Sequence, residues 1–69
     1  MRVKNSIELG NEIRKRRKKL GYTQLDVSSR TGMSTSFISE VENGKETSEL
    51  GKVMLLLSVL GLNIFVEER

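Results

Sequence analysis

The chain has 69 residues, with 12 Lys or Arg against 9 Asp or Glu, a formal net charge of +3, and neither histidine nor cysteine. So short a chain makes one small domain with a thin core and little volume to enclose a substrate; without His or Cys it lacks disulfides, thiolate metal sites, the commonest zinc ligand and the commonest general base. The charge is uneven: residues 1–30 hold nine basic and three acidic side chains, a balance of +6, and the remainder is at −3, the footprint of a domain that meets a polyanion.

Ser6 followed by Leu9, Ile13 and Leu20 spaces apolar residues for an amphipathic helix over about 7–20. Its basic last turn suits the helix dipole, and Gly21 is a left-handed end. The run Arg14 to Lys19 fits a polyanion contact and a solvated helix face equally well on charge alone. Thr23-Gln24-Leu25-Asp26 is a capping-box variant and starts a second, two-turn helix that reaches about Thr31 before Gly32. Ser34 caps a third helix with Phe37, Ile38 and Val41 as its apolar face, and Asn43-Gly44 stops it. A fourth helix is expected from about Glu49 to Leu60, capped by Thr47 or Ser48 and ended by Gly61. Its run Val53 to Leu57 is apolar almost all round, and so short a chain has little left to cover it, which points to a partner subunit. After Gly61, Leu62, Ile64 and Val66 alternate as in a strand over residues 62–67. Lone strands are unstable, so this one is either a packed extended tail or pairs with another chain, and the expected arrangement is pairing with its own copy across a two-fold axis. No 18-residue apolar run or leader pattern occurs, so no membrane is expected and the cytoplasm is the expected location.

Helices two and three, joined across Gly32-Met33-Ser34, have the form of a helix-turn-helix. Through Leu9-Gly10, Ile13-Arg14, Arg17, Leu20-Gly21, Thr23-Gln24, Val27, Gly32-Met33-Ser34, Ile38, Val41 and Glu42-Asn43-Gly44-Lys45 the sequence resembles the Xre or Cro-like family of prokaryotic and phage repressors over residues 9–61. The resemblance implies an all-α, lambda-repressor-like bundle of four to five short helices, here with one C-terminal β-strand, as a single domain over residues 1–69. It also implies binding to double-stranded DNA at an inverted-repeat operator, with no cofactor, metal or catalysis.

In that family the start of helix three reads bases, which places Thr35, Ser36, Ser39 and Glu40 at the DNA. Hydroxyls can bond several base edges, and a carboxylate can accept from a cytosine amino group or repel wrong sequences. Ser39 serves equally well as a plain solvent-facing residue. Thr23 and Gln24 match the family's phosphate clamp at the start of helix two, and Asn43 and Lys45 match the grip on the other flank of the backbone. Arg17 and Glu42 match a structural ion pair between helices one and three; Arg2, Lys4 and Arg14 are flanking cations. Phe37 reads as packing rather than base contact.

The chain departs from the family by having no alanine, with Ser28, Leu57 and Val59 where small residues are usual and Leu25 and Leu55 where polar ones are. Leu55, Leu62, Ile64, Phe65 and Val66 are accordingly expected at a homodimer interface. A Xre-type domain followed by one short strand is similar to the HipB-type antitoxins, which implies a nucleoid-associated autorepressor that also holds a HipA-type kinase toxin. The rival reading is a protein-interaction module that keeps the helix-turn-helix fold with little DNA specificity. A carboxylate pair for catalysis is excluded because Glu40 and Glu42, two apart, face different sides of a helix.

Overall fold

A side-chain cap opens each of the first three helices in the computed structural model, which describes residues 2–69. The Asn5 side chain accepts from the Glu8 N–H ahead of α1 (Ser6–Lys19), and Ser34 accepts from the Phe37 N–H ahead of α3 (Thr35–Glu42). Before α2 (Gln24–Thr31), Thr23 and Asp26 exchange bonds in a full capping box, 3.0 Å from the Asp26 N–H to Thr23 Oγ1 and 2.8 Å from the Thr23 N–H to Asp26 Oδ2. Each cap satisfies amide donors that the first turn leaves without partners. Thr23→Ala is therefore expected to remove about 1 kcal/mol of stability, read as a fall in Tm of about 4–8 °C for a domain of this size.

Three helices end alike. Beyond α1, α3 and α4 (Leu50–Val59), two successive amides turn back onto the last turn, at Gly21 and Tyr22, Gly44 and Lys45, and Gly61 and Leu62. The reversal needs a left-handed residue, and at Gly44, with φ +85°, any side chain would also meet the Ile7 backbone, 2.8 Å from a Cβ.

The core gathers on α3, which packs against α1 on one side and α2 on the other, with α4 against α2. Ile13, Val27, Ile38, Val41, Leu56 and Leu60 form its centre, and Leu9, Tyr22, Phe37 and Leu62 close over it. The interior of α1 carries a glycine for a steric reason: a Cβ on Gly10 would stand 2.7 Å from the Glu42 carbonyl oxygen, so α1 and the last turn of α3 touch backbone to backbone.

Ser6, the first residue of α1, donates its hydroxyl to the Gly44 carbonyl, 2.8 Å away, tying the first turn to the turn after α3. Two expectations need correction. Neither Thr47 nor Ser48 caps α4, which spans Leu50–Val59; Glu49 precedes it without a side-chain cap, and the Ser48 hydroxyl is taken by the Lys45 carbonyl. As expected of a run that so short a chain has little left to cover, Val53 to Leu57 is covered on one side only, and Met54 and Leu55 remain half exposed. Finally, no strand forms among the described residues: past Leu62, which rests on the core, residues 63–69 are exposed and join no ladder. A strand exists through backbone bonds to a neighbour, and a single copy of this chain offers none. The pairing across a two-fold axis is for the same reason not seen.

Candidate nucleic-acid interface

The eight residues of α3 divide cleanly between two environments. Ile38 and Val41 are buried and Phe37 is half-buried, while Thr35, Ser36 and Glu40 are exposed and Ser39 is half-buried on the other side. The outward row gives two hydroxyls at the start of the helix, then a second tier where Ser39 accepts from Asn43 Nδ2 at 3.4 Å and Glu40 Oε2 meets Lys45 Nζ at 2.5 Å. A helix of this length fits the major groove, and hydroxyl, carboxylate and amide groups are what read base edges there.

Gln24 lies half-buried between the start of α2 and the end of α3. It donates one amide hydrogen to Glu42 Oε1 at 3.2 Å, leaving its second N–H and its carbonyl oxygen unused by that bond. Thr23 beside it is engaged in the capping box. Asn43 and Lys45 are exposed just past the last residue of α3, Glu42.

Beneath this surface Arg17 and Glu42, 7% and 5% exposed, form a two-point ion pair: Nε to Oε2 at 2.6 Å and Nη2 to Oε1 at 2.9 Å. Arg17 Nη1 also donates to the Tyr22 carbonyl at 2.9 Å, so one guanidinium joins α1, the turn into α2, and α3. Burial alone would push the Glu42 carboxyl up, but hydrogen bonds from Arg17 and Gln24 and the charges of Arg17 and Arg14 outweigh it and hold the group below its ordinary value. The same pair raises Arg17, its hydrogen bond to Glu42 prevailing over desolvation. Asp26 is lowered by the backbone and side-chain bonds from Thr23, with a smaller effect from Arg30.

The basic run of α1 is partly structural. Arg17 is internal, and Arg16 Nε donates to the Leu60 carbonyl at 2.8 Å, closing the end of α4. Arg14, Lys15, Lys18 and Lys19 remain exposed. Arg30 stacks 4.3 Å over the Tyr22 ring. The Arg16 bond spans 44 residues of sequence, so no local spacing announces it.

A second, apolar surface lies on α4 and the tail. Leu55 is 50% exposed, Ile64 51%, Phe65 83% and Val66 94%, while Leu62 is half-buried against the core. No helix among the described residues is long and apolar enough to cross a membrane.

Known proteins resemble this chain in sequence and in fold. The sequence model of the family described as Helix-turn-helix matches residues 13–65. A relative from Sinorhizobium fredii (strain NBRC 101917 / NGR234), the uncharacterized HTH-type transcriptional regulator y4mF, is 33% identical over 63 residues, which is 91% of this chain and 83% of that protein. Among solved structures, the HipB-O4 20mer complex and the HipA-HipB-O2-O3 complex each contain a chain similar to this one, with a TM-score of 0.89 at 22% identity, covering 99% of this chain and 96% of the other. At that identity the likeness concerns the fold.

Proposed function

This chain belongs to the Xre-like helix-turn-helix family and has the fold of its transcriptional regulators, and from that premise we propose that it is a sequence-specific DNA-binding repressor. The observation that carries the reading is the outward row of α3: Thr35, Ser36, Ser39 and Glu40 take no part in the core, on a helix anchored from behind by the buried Arg17–Glu42 pair. Thr35 and Ser36 enter the major groove with the helix start, and Ser39 and Glu40 follow one turn later. Thr23 and Gln24 at one flank and Asn43 and Lys45 at the other meet phosphates, where exposed Arg14 adds positive charge.

The protein acts as a homodimer on an inverted repeat, its half-sites about one helical turn apart. Exposed Leu55 on α4 and Ile64, Phe65 and Val66 on the tail, with Leu62, are the surface that a second copy covers. Leu55→Asp is expected to leave the fold intact, since the side chain is half exposed, and to convert the dimer to a monomer in analytical ultracentrifugation. A variant that sediments as the unmodified chain does would remove Leu55 from the interface.

The finer role is that of an autoregulatory antitoxin, held in the cytoplasm at the nucleoid and paired with a HipA-type kinase toxin. Support comes from the likeness to HipB, one of whose solved complexes includes HipA. Selection of bound duplexes from a random pool tests the core of the reading. An enriched inverted repeat is the expected result. A folded chain that enriches nothing would shift the function to protein binding through the apolar face of α4 and the tail.

A further inference from the structure

Glu40 and Lys45 sit on the reading face with opposite tasks, and the structure joins them. Their side chains meet at 2.5 Å, each about half exposed, five residues apart. That separation lies outside the three or four residues at which helical side chains normally meet. Contact arises because the chain reverses at Gly44, where the Lys45 N–H returns to the Glu40 carbonyl at 3.0 Å and lays the lysine over the last turn of α3. One ammonium carries a single charge, so a lysine drawn to a phosphate no longer fully neutralises this carboxylate.

We propose that the Glu40–Lys45 pair is a latch that makes a phosphate contact conditional on base sequence. In the free protein the lysine cancels the carboxylate. At a site that presents a major-groove amino donor, from cytosine N4 or adenine N6, the carboxylate accepts from the base and Lys45 passes to a phosphate. On other DNA the carboxylate finds no base donor, so either the latch stays closed and the phosphate contact is lost, or Lys45 turns to the phosphate, wholly or in part, and leaves an under-neutralised carboxylate among phosphates. A contact that is sequence-blind in an ordinary lysine thereby contributes to discrimination.

The inference rests on the DNA-reading function proposed above. The test is fluorescence anisotropy over a salt series with the full chain, E40Q, K45A and the double variant. Their targets are the selected operator, its single base-pair replacements and a random duplex. Both side chains are half exposed and contribute little to folding, so the variants retain the fold. E40Q is expected to free Lys45, steepening the salt slope on random DNA by about one and cutting discrimination at one base pair by about tenfold. In the K45A background E40Q is expected to leave the slope unchanged. A slope gain that persists without Lys45 is simple charge repulsion and overturns the latch, as does an E40Q slope equal to that of the unmodified chain. Sequence-blind binding by the unmodified chain overturns the DNA-reading function itself, whereas a specific operator with additive E40Q and K45A effects overturns the latch alone.

Discussion

Glu42→Ala is expected to cost about 3–5 kcal/mol, a large share of the total stability of so small a domain. The cost comes from what remains. Arg17 would keep its charge in a site where it is 7% exposed, with the Tyr22 carbonyl as its remaining listener and Gln24 deprived of its acceptor. No buried side-chain nitrogen or oxygen among the described residues now lacks a partner, so the variant would introduce the first. Replacing both members, Arg17→Met with Glu42→Leu, is expected to be near neutral or stabilising, because the attraction of a buried pair roughly repays its desolvation. Urea titration of the single and double variants measures both; a single-variant loss under about 1 kcal/mol would contradict the burial of the pair.

The same pair gives an acid dependence of known sign. A carboxyl held below its ordinary value favours the folded state when ionised. Its contribution is complete above the unfolded carboxylate value, about 4.3, and is lost as pH falls through the lower folded value. The double variant is expected to lose that part of the acid sensitivity and keep the part due to Asp26, whose carboxyl is also lowered.

Gly10→Ala is the second large effect, and its sign is the opposite of the usual one. In an exposed helix interior the exchange gains about 0.5–1 kcal/mol. At Gly10 the added methyl would sit 2.7 Å from the Glu42 carbonyl oxygen and 2.9 Å from its carbon, backbone atoms that cannot rotate away. Separating α1 from α3 to admit it is expected to cost about 2–3 kcal/mol net, and to weaken the proposed DNA binding by moving the anchor of α3. Gly51 is the internal control: it is exposed in α4 with nothing near its Cβ, so Gly51→Ala is expected to stabilise. Thermal unfolding of the two variants should shift in opposite directions.

Much of the fold was legible because its signals are local. Thr23 with Asp26, Ser34, and the glycines after all four helices act within a few residues, and the apolar spacing of Ile13, Ile38 and Val41 marks the faces that are buried. What escaped depends on distant or competing partners. Gly10 belongs to a family motif, but its reason is an α3 carbonyl 32 residues on. Ser48 has the right chemistry for a cap, but α4 begins one residue later than that cap requires, with Glu49 at the cap position, while the Ser48 hydroxyl donates to the Lys45 carbonyl. Arg16 looked like one more cation in a basic turn until the Leu60 carbonyl came within 2.8 Å. At the candidate interface the outward positions of α3 follow from periodicity, whereas the Glu40–Lys45 contact depends on a chain reversal that no helical period describes.

The bonds of α1 reach far along the chain: Ser6 to Gly44, Arg17 to Glu42, Arg16 to Leu60. A ribosome delivers α1 first and these partners last. Until residue 42 has emerged, none of the three bonds has anything to close on; the Ser6 bond waits for residue 44 and the Arg16 bond for residue 60. A transcript truncated before Leu60 would therefore yield a fragment without the bond that ends α4.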